Sequence, residues 1–381
     1  VVAVVIITSG LGSTYFRFSR GLGATTNLRD AVPWGFWIGF DYLCVGLAAA
    51  GFTIAATVHI FNLKKYEPLL KPAILTAFLG YSVVVCLLVI DLGRPLNFWH
   101  PLVMWNIHSV MFEITWCLIC YTTVLILEFA PVILKKFNIK TPIKFLKTIS
   151  IPVVIAGILF STLHQSSFGS LYLIVPERLH PLWYSTLLPV HFYISCIAAG
   201  LAMIIFESYH VAKSFTKEDG FYNTGLNMDV LSGVSLAILA ALVVGFLLKL
   251  NDLMENGKIV YLTKFTQESF LFYLETIIGT LIPIYLLGYG NYRKDKKWLY
   301  IISICVISGF ILNRMNVCIT GFIESSGYSY FPSFDEISIT LMLVVFALIA
   351  FRTIAKYFPV FDMEHEIGVL RNQRTQIIQN N

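Results

Sequence analysis

The chain has 381 residues, of which 57% are hydrophobic and only 13% are charged. A soluble domain would carry about twice that share of charged residues, so the composition excludes one. The net charge of +5 is modest and the basic residues cluster in short loops, which does not favour nucleic-acid binding. Apolar runs of about 20 residues recur along the whole chain and predict an all-α integral membrane protein.

Ten candidate spans make the chain a single polytopic membrane domain, residues 1–381. The predicted bounds are 1–18, 34–62, 72–93, 107–134, 148–169, 185–211, 228–250, 268–290, 298–318 and 336–357. Pro33, Pro72 and Pro95 stand at span ends, where a proline disturbs a helix least. The sequence starts at Val1 inside an apolar run, so we expect the natural N-terminus to be missing.

The orientation follows from the basic residues. Of the 27 Lys and Arg residues, 18 fall in one set of loops and in the C-terminal tail, among them Lys217, Arg371 and Arg374. Cytoplasmic loops carry the excess of such residues. We therefore expect a multi-pass membrane protein with a cytoplasmic C-terminus, whose opposite face is turned outward, toward the periplasm if the membrane is a bacterial inner membrane.

The second predicted span carries a carboxylate and a histidine. Asp41 and His59 are eighteen residues, or five turns, apart, which places them on one helix face at a separation of about 27 Å. Cys44, Ala48 and Ala55 lie between them, and these small residues leave room for water or for a neighbouring helix. The stripe could conduct protons, although His59 could equally be an interfacial group. A carboxylate inside a span, such as Asp41, needs a partner or a water-filled cavity.

The stretch Asp91–Glu113, at the outer face, joins the third and fourth spans. Asp91 and Arg94 are one turn apart, so we predict that the acid neutralises the guanidinium. Ser109 and Glu113 are four residues apart and lie on one face of the next helix. Ionisable groups at the rim of a membrane bundle predict a functional site.

The fifth span ends in the polar sequence His164–Tyr172. Such a cluster either caps the helix end by side-chain hydrogen bonds or takes part in chemistry. A histidine can take part because it exchanges protons near neutral pH. With Asp41 and Glu113, His164 would complete a set of outer-end groups. This mixture suits a quinone, which needs a flat apolar slot, a hydrogen-bond partner at each carbonyl and a source of protons.

Metal and haem ligation are both disfavoured. Cys117 and Cys120 form a CxxC inside a helix with no second pair nearby, and we interpret them as buried thiols. A di-haem cytochrome needs histidine pairs at matching depth, and two could be drawn, His59 with His210 and His164 with His191. Neither pair comes with the repeated two-histidine spacing along one helix that such cytochromes favour.

A weak internal repeat predicts two four-helix bundles. Ala49-Ala50-Gly51 in the second span is echoed by Ala198-Ala199-Gly200 in the sixth. Duplication would relate spans 2–5, about 34–169, to spans 6–9, about 185–318, with spans 1 and 10 flanking them. Close packing of helices through small residues would also explain the echo.

Eight segments together resemble a known family. They are PWGFWIGFDY (33–42), Lys71-Pro72-Ala73-Ile74-Leu75 with Gly80-Tyr81, DLGRP (91–95), HSVMFE (108–113), LEFAP (127–131), HQSSFGSL (164–171), HPLW (180–183) and YFPSFDE (330–336). The sequence is similar over nearly its whole length to the NrfD/PsrC-type membrane subunits of bacterial respiratory complexes. The likeness is greatest to the ten-span subunit of hydrogenase-2-type complexes, the HybB type.

The resemblance implies a quinone-reactive subunit that binds neither haem nor metal. Menaquinone would be the substrate, bound in the first bundle near the outer face. Electrons would come from a ferredoxin-like iron–sulfur subunit, supplied by the large and small subunits of a NiFe hydrogenase. The polysulfide reductase relative has a quinone-contacting histidine on the second span, and that position falls on Asp41 here.

The predicted roles fall into three sets. Asp41, Glu113 and His164 would be catalytic; the quinone would contact these three and Trp37, Gln165 and Tyr172; the proton path would include Asp91, Arg94 and His59.

Three alternatives remain open at this point. One is a related complex with a different donor, such as polysulfide, formate or cytochrome c, another is a secondary transporter, and the third is a mere anchor for soluble redox subunits.

Overall fold

The structure is a computed structural model that describes residues 1–214, 227–358 and 360. Within these residues it is helical, with no strand and one isolated backbone bridge between Arg29 and Val32. Ten helices are long and apolar enough to cross a membrane, which confirms the predicted all-α, ten-span membrane fold. Lys217, His365, Arg371 and Arg374 lie outside the described residues.

The ten spans have the following bounds. They are Val2–Arg20, Phe36–His59, Lys64–Asp91, Val110–Lys136, Ser150–Leu173, Leu188–Lys213, Met228–Glu255, Gln267–Gly288, Lys296–Ser326 and Phe334–Tyr357. The third begins earlier than predicted, because the 3₁₀ turn Lys64–Leu69 leads directly into its α-helix. Short helices in the connections are Leu22–Thr25, Pro95–Asn97, His100–Val103, Lys140–Thr148, Ile259–Thr263 and Gly290–Arg293.

Three spans are interrupted, which the sequence did not indicate. In span 9 the α-helix Lys296–Cys318 is followed by a 3₁₀ turn, Thr320–Phe322, and by the short helix Ile323–Ser326. Span 2 consists of Phe36–Leu47 and Ala50–His59, joined by a tight turn at Ala48 and Ala49. The backbone remains hydrogen-bonded there, since the Ala49 N–H donates to the Gly46 carbonyl at 3.2 Å. Span 8 contains a π-helical turn, Ile277–Leu281.

Helix packing groups the spans into two sets of four. Spans 2 to 5 pack around one another, as do spans 6 to 9, and the sets meet where span 5 contacts span 6 and span 2 contacts span 9. Spans 1 and 10 pack together, and span 10 also lies against span 3. The duplication behind this arrangement remains a prediction.

The two Ala-Ala-Gly sequences meet in the interior. A Cβ atom on Gly200 would lie 2.5 Å from the backbone nitrogen of Ala50 and 3.0 Å from the carbonyl carbon of Ala49. Only glycine permits this approach, so small-residue packing explains the sixth-span motif directly.

The YFPSFDE motif caps span 10. The Ser333 hydroxyl accepts from the Glu336 N–H, and the Glu336 carboxylate accepts from the Ser333 N–H, which completes a capping box. The buried carboxylate also accepts from the Tyr330 hydroxyl and from the Asn27 N–H. Burial raises the pKa of Tyr330, which keeps its hydroxyl protonated as a donor. The motif therefore has a structural role: it joins the connection between spans 1 and 2 to the start of span 10.

Candidate functional site

The outer rim of the first bundle is built by spans 4 and 5. Ser109 caps span 4, and its hydroxyl accepts from the Phe112 N–H at 3.4 Å. The Glu113 side chain one turn later is exposed, and its Oε1 accepts from the Ser167 hydroxyl of span 5 at 2.6 Å. A carboxylate at the bundle surface is thus held against the fifth span.

His164 lies inside the bundle, one turn from Ser167 along span 5. Its side chain has no solvent-accessible surface. Its Nδ1 lies 3.0 Å from the hydroxyl of Tyr81, and its ring packs on Phe168 with a centroid distance of 4.5 Å. Nε2 is buried without a hydrogen-bond partner. The imidazole is therefore fixed through one nitrogen while the other remains unsatisfied.

Spans 2 and 5 carry further unsatisfied polar atoms. Asp41 Oδ1, the Tyr42 hydroxyl and Gln165 Oε1 are all buried and unpartnered. The Gln165 amide crosses to span 2, where its Nε2 donates to the Val45 carbonyl at 3.2 Å, and the Tyr42 ring lies 4.3 Å from that of Phe168. Buried polar atoms normally find partners, so such a concentration indicates water, a ligand or proton transfer.

A line of hydroxyl groups continues from His164 toward the opposite end of the bundle. The Tyr81 and Tyr121 rings are 4.6 Å apart, and the nearby Ser161 hydroxyl is buried without a partner. Glu128, on span 4, lies beyond Tyr121; both side chains are 3.9 Å from the position that a Cβ on Gly157 would take. Neither Glu128 nor Tyr81 was among the predicted site residues.

Trp37 does not face this group of residues. Its indole N–H donates to the Glu336 carbonyl at 3.2 Å, and its ring is buried among apolar residues of spans 3 and 10. The indole is therefore engaged in a contact with span 10, and its quinone contact remains a prediction. Aromatic residues near a span end do not reveal from sequence which neighbour they will meet.

Tyr172 links the two bundles. Its hydroxyl lies 3.0 Å from Cys318 Sγ of span 9, and its ring makes an edge contact with Trp34 at 5.3 Å. The side chain is fully buried. Its ring also lies 6.2 Å from that of Tyr42, which packs on Phe168, and its quinone contact remains a prediction.

The predicted Asp91–Arg94 pair is wrong. No ion pair joins the two residues in the described structure, and Arg94 is exposed. The cation close to Asp91 is instead the buried Arg17 of span 1, which interacts electrostatically with it. Arg17 donates to the carbonyls of Ile90 and Leu92 at 2.8 and 2.6 Å and so satisfies the end of span 3.

The predicted stripe between Asp41 and His59 is filled by a helix. A Cβ on Gly80 would lie 3.3 Å from both the Ala48 Cβ and the Cys44 carbonyl, so span 3 packs directly on the small residues. The turn at Ala48 also interrupts the helix between the two residues, and His59 is exposed at its end. Of the two alternatives for the small residues, the structure supports the neighbouring helix.

Comparison with known proteins identifies the family. The family model described as polysulphide reductase, NrfD, matches residues 24–324. The chain belongs to the NrfD family. The matched region contains Asp41, Tyr81, Glu113 and His164. Span 10 and the YFPSFDE motif that caps it lie beyond the matched region.

Three relatives are similar to this NrfD-family chain over most of its length. A protein of Nitratidesulfovibrio vulgaris is 36% identical over 364 residues, covering 94% of the chain and 93% of the relative. The probable Ni/Fe-hydrogenase 2 b-type cytochrome subunit of Escherichia coli is 29% identical over 355 residues, covering 90% and 87%. The menaquinone reductase integral membrane subunit of N. vulgaris is 25% identical over 381 residues, covering 94% and 90%.

Proposed function

We propose that the chain is the quinone-reactive membrane subunit of a respiratory oxidoreductase complex. It passes electrons from a periplasmic iron–sulfur subunit to menaquinone and couples this transfer to proton uptake. Two of the similar proteins bear on the proposal, since one is named a hydrogenase subunit and the other a menaquinone reductase subunit.

The proposal rests on the hydrogen bonding of the two ring nitrogens of His164. Its Nδ1 is engaged by Tyr81, while Nε2 is buried and unpartnered one turn from the Ser167–Glu113 contact at the rim. A reduced quinone must receive a proton at each oxygen, so a fixed imidazole behind a surface carboxylate provides suitable donors.

Glu113 marks the entrance of the quinone site. Among the residues expected to contact quinone it is the exposed one, whereas Asp41, His164 and Gln165 are enclosed. Leu163 and Met111 are exposed beside it and offer an apolar approach from the lipid. The head group reaches the rim between spans 4 and 5, and a shift of the Ser167 and Phe168 side chains brings it against His164.

Protons reach this site along spans 3, 4 and 5. The route runs from Glu128 through Tyr121 and Tyr81 to His164, where buried hydroxyl groups follow one another. The His59–Asp41 face is less suitable, because span 3 fills it. Asp41 acts from the side of span 2 and, together with Asp91, adds carboxylates near the outer end. If the protons come from the cytoplasm, turnover moves charge across the membrane.

The connection between spans 3 and 4 forms the docking surface for the iron–sulfur subunit. It is unusually apolar for an exposed segment, with large exposed side chains at Leu96, Phe98, Trp99, Val103, Met104, Trp105 and Ile107. Apolar patches of this kind mark interaction sites. The segment adjoins Glu113 through the start of span 4, so a cluster in the partner would lie close to the quinone.

We further propose that this chain transfers electrons without a haem of its own, although one relative is named a b-type cytochrome subunit. A bis-histidine haem needs two imidazoles facing an open slot. His164 lies beside Tyr81 in the first bundle, whereas its candidate partner His191 lines a cavity among spans 6 to 9 in the second. His59 is exposed, and His210 is exposed with its Nε2 3.1 Å from the Tyr300 hydroxyl. These residues do not fit the group.

A NiFe hydrogenase is our proposed electron donor, because the similarity to the E. coli hydrogenase 2 subunit covers most of both chains. A polysulfide-linked or cytochrome-linked complex is the second candidate, because the family model that matches the chain is described as polysulphide reductase, NrfD. A transporter would need unwound backbone at a midplane site. The interruption in span 2 is a hydrogen-bonded turn and that in span 8 is a π-helical turn, so neither is unwound backbone.

Purification of the complex in mild detergent tests the proposal. We expect an iron–sulfur subunit and hydrogenase subunits to co-purify, with hydrogen-dependent reduction of a menaquinone analogue and no b-type absorption. His164→Ala should abolish quinone reduction in the assembled complex while hydrogen-dependent reduction of a soluble dye persists. His210→Ala, at the other tyrosine–histidine pair, is the matched control. A strong b-type spectrum, or isolation of the chain without redox partners, would contradict the proposal.

A further inference from the structure

A cavity of about 140 Å³ lies in the outer half of the second bundle, between spans 6, 7, 8 and 9. Its inner wall is apolar and includes Leu242, Val306 and Phe310. Its outer wall carries charged and polar side chains, including Lys249, Glu275 and Arg314. Polar groups at this depth are costly in a membrane and indicate a function, and the proposed quinone chemistry does not use them.

The two carboxylates at the cavity each have their own cation. Glu275 accepts from Lys249 at 2.8 Å and also from Asn313, Asn316 and the Trp183 indole. Asp252 accepts from Lys258 at 2.6 Å. Each pair is neutral as a unit, so neither carboxylate is left to balance another charge.

Arg314 is the remaining charge. Its side chain is 1% exposed, and its terminal nitrogens donate to Asn313 Oδ1 at 2.6 Å and to Ser195 Oγ at 2.7 Å. The guanidinium lies 3.7 Å from the ring centroid of Phe192. None of the ion pairs among the described residues includes Arg314. A buried cation without a counter-charge carries a large desolvation cost.

Two hydrogen-bond donors at the cavity are also unused. Arg314 Nε and the Thr276 hydroxyl are buried without partners, and both residues line the cavity. Two donors without hydrogen bonds, next to an unbalanced positive charge, suit a ligand that accepts hydrogen bonds and carries negative charge.

The backbone around the cavity is adapted to leave this space. The π-helical turn Ile277–Leu281 follows Thr276 directly, and such turns in α-helices are frequent at functional sites. Gly279 in that turn packs against the backbone of Gly309 in span 9. Spans 7 and 8 have few close backbone contacts at this level and are joined by the Lys249–Glu275 pair, which leaves a lateral approach from the bilayer.

We propose that this cavity binds one singly charged anionic group, held by Arg314 and Thr276. The occupant is either a free ion of the size of chloride or the phosphodiester of an anionic phospholipid that enters between spans 7 and 8. Both supply the one negative charge and the acceptor atoms that the cavity lacks. The site lies in the second bundle and is independent of the quinone site.

The test uses the purified full-length chain in mild detergent and chloride-free gluconate buffer. In the free-ion case, radioactive chloride binds saturably at one ion per chain. In the lipid case, native mass spectrometry detects one retained phosphatidylglycerol. Arg314→Gln should weaken the binding by at least about tenfold in either case, because a charged hydrogen-bond donor is lost. Arg94→Gln removes an exposed arginine and should leave binding unchanged.

Two further variants keep the test decisive if Arg314→Gln does not fold. Arg314→Lys retains the charge and should retain the anion, and Thr276→Val should weaken binding by about fivefold through loss of one hydroxyl donor. Uptake of neither anion by the wild-type chain would overturn the proposal. Unchanged binding in a folded Arg314→Gln or Thr276→Val chain would overturn it as well.

Discussion

The hydroxyl of Tyr81 lies 3.0 Å from Nδ1 of His164, and both side chains are completely buried between spans 3 and 5. The contact fixes the orientation of the imidazole and leaves Nε2 as its free nitrogen. It also joins the outer rim to the line of hydroxyl groups that leads to Glu128. The predictions below depend on this relationship.

Tyr81→Phe should slow quinone reduction by at least about tenfold without preventing assembly, because it removes the proton partner of His164 but retains the ring. Hydrogen-dependent turnover with a menaquinone analogue measures the effect in the purified complex. Tyr300→Phe removes the corresponding hydroxyl from the exposed Tyr300–His210 pair and should have no effect. Equal rates for wild type and Tyr81→Phe would remove the contact from the mechanism.

Asp41→Asn should abolish quinone reduction while the complex remains assembled. The amide has nearly the same shape as the carboxylate but cannot take up and release protons, and Asp41 Oδ1 has no structural partner to lose. Asp252→Asn is a useful comparison, because its loss should act on folding through the pair with Lys258. Normal turnover in Asp41→Asn would show that this carboxylate is not part of the site.

Glu113→Gln and Ser167→Ala test the entrance of the site. Ser167→Ala breaks the 2.6 Å contact between spans 4 and 5, and Glu113→Gln weakens it because a neutral amide oxygen replaces the charged acceptor. Both should therefore raise the quinone concentration needed for half-maximal rate. Only Glu113→Gln removes a titratable group, and it alone should also reduce the maximal rate. Steady-state kinetics at varied quinone concentration distinguish these effects, and identical kinetics in all three chains would exclude the entrance from this position.

Glu128→Gln and His59→Gln distinguish the two proton routes. On the route through Tyr121 and Tyr81, Glu128→Gln should lower turnover by at least about tenfold, and His59→Gln should change it by less than about twofold. Turnover in inside-out membrane vesicles is the measurement. A large loss of turnover in His59→Gln, with little change in Glu128→Gln, would instead assign the proton path to the His59–Asp41 face of span 2.

Tyr330→Phe should affect stability rather than chemistry. It removes a hydrogen bond to the buried Glu336 carboxylate, which costs about 1–3 kcal/mol and lowers the melting temperature of the complex in detergent. Activity per assembled complex should stay unchanged. Tyr328→Phe is the control. Loss of activity at unchanged stability would place the YFPSFDE motif in the quinone site.

The sequence predicts the class and number of spans well, because apolar length in a bilayer leaves few alternatives. It also indicates Asp41, Glu113 and His164, since ionisable residues inside apolar spans are conspicuous. It does not show which helix each side chain meets. Trp37 was expected at the quinone and packs against span 10, and Asp91 was paired with Arg94 although Arg17 arrives from span 1.

Tyr81 and Arg314 illustrate the same difficulty. One tyrosine in an apolar span resembles any core aromatic, and its role depends on facing His164 across the bundle. Arg314 was not among the predicted site residues, and its lack of a carboxylate partner is visible only when spans 6 to 9 are packed together. A basic residue well inside a predicted span was the available signal in that case.

Photolabelling of the assembled complex with an azido-quinone tests the central claim most directly. The label should attach to residues 107–116 and 160–171, at the outer ends of spans 4 and 5, and excess menaquinone analogue should prevent it. His164→Ala should reduce that labelling without moving it elsewhere. Labelling confined to residues 241–317, in the second bundle, would contradict a quinone site beside Glu113 and His164.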